Sequence, residues 1–276
     1  MEKMYSVGKK DIKNSLLDLG IEEGDMVLFH SSLKSFGNVD GGADAVIDAF
    51  LEVVGNSGTV IVPTFSQKNF SEAYNTWHMD KTSDTGYITE VFRKREGALR
   101  SNQATHSVAA IGRNAQYIVQ DHGKSGERHG IYGSTPFARE SPWQKMYDEN
   151  VKVVLVGVGL ESFTFKHLWE YMLVERALEN AKLRNEYDEY FKYICCFEER
   201  DRRCDTYFWP YIRKEPLERF VSENKLYSKV ACGEAIMKRL NAKTLGEAVM
   251  ENIWSDPEKW YTGTILKWFL DNVTDK

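Results

Sequence analysis

MVLFHSSLKSFGNVDGGADAVIDAFLEVVGNSGTVIVP, residues 26 to 63, decides the fold class. It opens on an apolar run of strand length, MVLF, breaks into small polar residues, turns glycine-rich, and ends on a second apolar run, TVIV. Between the breaks, from Gly42 to Gly55, the residues Ala43, Val46, Ile47, Phe50, Leu51 and Val54 recur at helical spacing and make one apolar stripe, which Gly55 closes. Strand, helix and strand in that order predict a layered α/β domain.

Outward from this unit, VAAI (108 to 111) and VKVVLVGV (151 to 158) read as two further buried strands. Helical patterns run through Ile12, Leu16, Leu17 and Leu19 up to Gly20, and through Ile88, Val91 and Phe92. A long helix is expected from Phe163 to about Ala181, and an apolar pattern returns at Ile265, Trp268 and Phe269. Residues 113 to 145, rich in Gly, His, Ser and Pro, predict a long mobile excursion, either a lid over a site or a plain surface loop. The expectation is one domain over 1 to 276 with a helical C-terminal portion, in which 184 to 276 form a subdomain.

With 276 residues, 42% of them hydrophobic, the chain can bury a core without a metal or disulfide staple. Against 41 acidic residues stand 36 basic ones, a net charge of −5, which argues against a nucleic-acid surface. The four cysteines, Cys195, Cys196, Cys204 and Cys232, suggest neither a zinc ribbon nor a disulfide framework, so a reducing cytoplasm is expected. The opening MEKMYSVGKKDIKNSLLDLG does not read as an export leader, and no run approaches the ~18 apolar residues of a membrane span. No membrane partner is expected, and a homo-oligomer is compatible with the composition without being specified by it. His122 and His129, seven apart and far from any cysteine, do not suggest a metal site. His78 carries no motif, and His30, ending a strand, is expected to pack.

In α/β sheets ligands bind beyond the carboxyl ends of strands. His30 to Gly42 lies there: glycines 37, 41 and 42 allow close backbone approach, the next helix offers free N–H groups, and Ser31, Ser32 and Lys34 add donors and a charge. The stretch is neither GxGxxG nor a nucleotide-hydrolysing loop, and its plainer reading is a serine-rich turn before a glycine-capped helix. TFKHLWEY (164 to 171) offers a base: Thr164 is placed to cap a helix, which puts His167 in the first turn, where the positive helix end disfavours imidazolium. Glu170 and Tyr171 share that face, and Glu170 is the favoured orienter of the ring. His106, in THS before a strand, is a second candidate. A serine hydrolase built on Ser31 or Ser32 is disfavoured, because GxSxG is absent.

HSSLKSFGNVDGGADAVIDAFLEVVGNSGTVIVPTFS (30 to 66), RSNQATHSVAAIG (100 to 112) and VKVVLVGVGLESFTFKHLWEYM (151 to 172) resemble, in order and spacing, the signature blocks of the aminoglycoside 3-N-acetyltransferase family. The resemblance covers about residues 10 to 180 well and the rest loosely. It implies a three-layer α/β/α sandwich that moves an acetyl group from acetyl-coenzyme A to an amine of an amino sugar. By that resemblance Ser31, Ser32, Leu33 and Lys34 line the phosphate and pantetheine path, joined by Ser107 and Val108. His167 with Glu170 is the catalytic pair, and an acid among Glu198, Glu199 and Asp201 is a candidate to complete it. One departure stands out: where many members carry His-Pro, this chain has Gln103 and Ala104.

EYDEY (186 to 190) and FEERD (197 to 201) could meet a polycationic acceptor or be solvated faces. Arg200, Arg202 and Arg203 with Tyr207, Trp209 and Tyr211 suit a nucleotide-linked amino sugar instead, or the packing of a subdomain. A noncatalytic coenzyme A-binding relative is the third alternative.

Overall fold

Residues 26 to 63 form the expected strand, helix and strand, and the rest of the sheet grows around them. The computed structural model describes residues 6 to 66, 72 to 183 and 209 to 272. The strands are β1 (Ser6–Val7), β2 (Met26–Ser31), β3 (Asn38–Val39), β4 (Thr59–Pro63), β5 (Leu99–Arg100), β6 (Val108–Gly112), β7 (Lys152–Val156), β8 (Ser228–Cys232) and β9 (Ala235–Asn241). The helices are α1 (Lys9–Asp18), α2 (Gly42–Val54), α3 (Ala73–Thr76), α4 (Tyr87–Arg93), α5 (Ala115–Val119), α6 (Pro142–Asp148), α7 (Phe165–Leu183), α8 (Lys214–Glu223), α9 (Ala242–Ser255) and α10 (Gly263–Asn272).

The main sheet has the order β5-β6-β4-β2-β7-β9-β8. Its centre, β4-β2-β7, is parallel, and every other pairing in it is antiparallel. Side-chain alternation divides the buried strands between two cores. Val27, Phe29, Val60, Val62, Val154 and Val156 face the core shared with α1, α2 and α4. Leu28, Ile61, Val153 and Leu155 face the other, shared with α5, α6, α7 and the C-terminal helices. Helices therefore cover both faces, the three-layer sandwich expected.

The C-terminal portion is helical as expected and also supplies the hairpin β8–β9, which pairs with β7 through Val156 and Met237 and extends the sheet. The excursion of 113 to 145 departs from expectation: it begins in α5, ends in α6, and between them buries Ile131 and Phe137 in the core. Arg128, also buried, donates to Phe137 O and Gln144 Oε1 and pairs with Glu175. Apolar anchors and a satisfied buried cation make this segment a packed strap rather than a mobile loop.

Candidate active site

Helix α2, following β2, packs on one face of the sheet, whereas α7, following β7, packs on the other. Between the carboxyl ends of these adjacent strands the chain therefore leaves a crevice, the place where open α/β sheets bind ligands. A cavity of about 360 Å³ opens there, bordered by His30 and Ser31 of β2, Pro63 of β4, Val158 beyond β7, and His167 of α7.

His167 stands in the first turn of α7, its N–H bonded to Thr164 O at 2.9 Å. Its Nδ1 lies 2.9 Å from Glu170 Oε2, one helical turn on. Glu170 is fully buried, and its carboxylate also accepts from Trp209 Nε1 at 2.9 Å and from the Ile212 N–H at 2.8 Å. Two fixed donors thus hold the carboxylate in place, and the Nδ1–H tautomer of His167 is the one that can donate to it. His167 Nε2 is bonded to no described residue, and His167 borders the cavity.

Three rings enclose His167. Tyr132 of the strap lies 5.0 Å away, with Phe137 and His106 each at 6.3 Å between centroids. The Tyr171 hydroxyl fixes the strap by accepting from the Tyr132 N–H and donating to Gly133 O, both at 2.9 Å. The closeness demands glycine at 130, where an added Cβ would come 2.2 Å from the Tyr171 ring. Burial, and after it the neighbouring His167 and His122, hold His106 well below the ordinary histidine range, so it is neutral.

Gln103 and Ala104, the departure noted in the sequence, are both buried. The Gln103 side-chain oxygen accepts from the Thr105 and His106 N–H groups, and its nitrogen donates to Tyr74 and Thr135 hydroxyls. This residue is a strut that shapes the His106 turn and ties it to the strap.

Of the residues expected on a cofactor path, Ser31 borders the cavity. Ser32 leads into a 3-10 turn, Leu33–Phe36, that carries Leu33 and the exposed Lys34, which forms no ion pair with a described residue. Ser107 and Val108 are instead fully buried and do not border the cavity. The Ser107 hydroxyl donates to Thr64 O at 2.9 Å and the Val108 N–H to Ser101 Oγ at 2.9 Å, so their polar groups are consumed inside the fold. The start of α2, at Gly42, does not border the cavity either. The turn before it reaches β7 closely: a Cβ on Gly157 would fall 1.8 Å from Ser35 Oγ.

His30, expected to pack, borders the cavity, and its Nε2 and the Ser31 Oγ are both shut from solvent without a hydrogen-bond partner. Burial pushes His30 down to about 4. His122 is structural, its ring between Ser101 Oγ and Pro136 O. Glu198, Glu199, Asp201, Arg200, Arg202, Arg203, Tyr207 and both acidic runs lie outside the described residues. Among the described residues no group of acidic, histidine or cysteine side chains could hold a metal, and no helix is long and apolar enough to cross a membrane. Trp209, read from sequence as an acceptor contact or subdomain packing, is buried and donates to Glu170, and this role, like that of Ile212, was missed because nothing local links either residue to Glu170.

Residues 28 to 253 match the profile of the aminoglycoside 3-N-acetyltransferase family. The aminoglycoside N(3')-acetyltransferase-like protein YokD of Bacillus subtilis is 31% identical over 193 residues, 62% of this chain and 68% of that one. Aminoglycoside N(3)-acetyltransferase IX of Micromonospora chalcea is 27% identical over 179 residues, 58% of this chain and 60% of that one, so the match spans under two thirds of its length. Among solved structures, YokD from Bacillus subtilis superposes with a TM-score of 0.69 at 22% identity, over 94% of this chain and 97% of its own. An AAC-IIIb binary complex with CoASH gives 0.66 at 16% identity, over 94% and 100%. The profile match takes in the serine turn, the His–Glu helix and the C-terminal hairpin alike, and the chain belongs to the aminoglycoside 3-N-acetyltransferase family.

Proposed function

We propose that this chain transfers an acetyl group from acetyl-coenzyme A to an amine of an aminoglycoside or related amino sugar, with His167 as general base. The observation that carries the proposal is the His167–Glu170 pair, whose Nδ1 contact leaves Nε2 without a partner among the described residues on a side chain that borders the cavity. Acyl transfer to an amine needs such an acceptor, because the attacking nitrogen must shed a proton as the C–N bond forms. Glu170 fixes the tautomer and stabilises the imidazolium that results.

Acetyl-coenzyme A supplies the activated acyl carbon. The residues present fit it: Ser31 offers an unpartnered hydroxyl at the cavity, and Lys34 an exposed cation suited to a phosphate. That a solved relative is described as a complex with CoASH supports the same donor. The relatives' names support an aminoglycoside acceptor and with it a role in antibiotic resistance. Glu161, at the cavity's edge and half exposed, gives the acceptor one anionic neighbour, although Lys214 shares it at 3.2 Å. The cysteine pattern supports a cytoplasmic setting.

The test is thiol release from acetyl-coenzyme A with a panel of aminoglycosides and nucleotide-linked amino sugars. Release that requires an aminoglycoside is expected. Release with only the nucleotide-linked sugars would move the acceptor to polysaccharide synthesis, and coenzyme A binding without release in any pairing would make the chain a noncatalytic binder.

A further inference from the structure

A base that receives one amine does not say what meets the other charges of a polycationic acceptor. Among the described residues that border the cavity, Glu161 alone carries a carboxylate. It stands in the 3-10 turn Leu160–Ser162 just ahead of α7, and Lys166 Nζ ties that turn to the first turn of the base's helix by donating to Glu161 O at 3.2 Å. The carboxylate is held in one direction: Oε1 accepts from the Gly159 N–H at 2.9 Å, and Oε2 faces Lys214 Nζ at 3.2 Å.

Lys214 breaks a local rule. It opens α8, where the free N–H groups and the helix dipole disfavour a cation. Two acids lie within its reach, Glu161 at 3.2 Å and Glu218, one turn on, at 3.9 Å. Glu161 and Lys214 are each about half exposed, so the pair they make is weak and readily exchanged. A cation held loosely on the one described carboxylate of the cavity, with a second acid beside it, has the properties of a removable counter-ion.

We propose that Lys214 occupies on Glu161 the place that a second ammonium group of the acceptor takes in the complex, and that it moves toward Glu218 when that group binds. This rests on the acyl-transfer reading above and adds to it the acceptor class: amino sugars with two or more amines, one of which sheds its proton to His167 while another stays charged at Glu161. Base and carboxylate need not meet at a point, because the nitrogens of such a molecule lie several bonds apart and both groups border one cavity of about 360 Å³. Lys214 then sets selectivity by competition, since an acceptor with a single amine has no cation with which to replace it.

The experiment uses the full chain, acetyl-coenzyme A and a polyamino aminoglycoside that the unmodified protein acetylates. It compares Glu161→Gln, Lys214→Met and the double variant by kcat and by the KM of each substrate. Glu161→Gln should raise KM for the amine by about 3- to 10-fold and leave KM for acetyl-coenzyme A unchanged. Lys214→Met should lower KM for the amine by about 2- to 5-fold, a gain that loss of a merely structural ion pair would not produce. In the double variant that gain should vanish, so that its KM equals that of Glu161→Gln. An unchanged or raised KM in Lys214→Met, or a gain that persists without Glu161, overturns the proposal while acyl transfer stands. So does turnover with nucleotide-linked amino sugars alone, whose phosphates would favour the lysine over the carboxylate. Absence of amine-dependent thiol release from the unmodified protein overturns both readings.

Discussion

The Trp209 indole N–H donates to Glu170 Oε2 at 2.9 Å across 39 positions of sequence. The side chain that orients the base is thus itself oriented by the C-terminal portion of the chain. Glu170, Trp209 and Ile212 are buried, whereas His167 is partly exposed at the cavity, so the supporting hydrogen bonds lie in the low-dielectric interior and the ring they orient does not.

At the end of the relay, His167→Ala should reduce kcat by ~10² to 10⁴, the range for a general base, and leave coenzyme A affinity nearly intact. Steady-state rates with an isothermal titration of coenzyme A check this. Unchanged turnover at saturating substrate would remove His167 from the mechanism.

One step back, Trp209→Phe keeps the ring and deletes the N–H. The hydrogen bond lost is to a carboxylate, so unfolding free energy should fall by about 1.5–3 kcal/mol. Because the ring then sits in a looser seat, kcat should fall more than KM rises. Urea denaturation and steady-state kinetics give the two readouts, and a variant as stable and as fast as the unmodified protein would contradict the relay.

How much of this was legible in sequence depends on how local each signal is. The strands at 26, 59, 108 and 152 were readable because each is an apolar run buried on both faces, and Glu170 was readable because it lies one helical turn from His167. The hairpin β8–β9 was not, because AIMKRLN places half-buried Lys238 and Arg239 at its middle and an exposed Ile236 before them, so it shows neither a long apolar run nor a clean alternation. Trp209 and Ile212 were unreadable for a different reason: a contact over some 40 positions leaves no periodicity. The strap was misread because its glycines and polar residues outnumber anchors such as Ile131 and Phe137.

The strap's closeness to α7 gives the third prediction. Gly130→Ala would push a methyl into the Tyr171 ring and toward Trp209, both of which are buried and cannot retreat. Overpacking of this kind costs about 1–3 kcal/mol. Displacement of Tyr132 from His167 should also weaken acceptor binding, visible as a raised KM for the amine. A neutral outcome in both stability and KM would show that the strap has slack.

Acid should unfold the protein through its buried histidines. Burial pushes His30 to about 4 and His122 to about 3, and holds His106 well below 6.5. The unfolded chain takes up these protons as pH falls through about 6.5, whereas the folded chain excludes them until far lower pH. Their contribution to stability is therefore intact above about pH 7 and is lost as pH falls from about 6.5 toward 4, by about 1.4 kcal/mol per pH unit for each histidine. Urea midpoints at about pH 7, 6 and 5 measure the slope. In His122→Gln one titrating ring is gone, and the slope near pH 5 should lessen by about 1.4 kcal/mol per unit; an undiminished slope would mean that His122 is already charged in the fold.

The hairpin at the sheet's margin has a consequence for biogenesis. Its turn reaches back to the beginning of the chain, where the Glu234 N–H bonds to Phe36 O, and the Gly157 N–H bonds to Ile236 O. A chain that stops short of residue 209 lacks the donors that Glu170 accepts from, and one that stops short of 234 also lacks these braces, however well its first strands have paired.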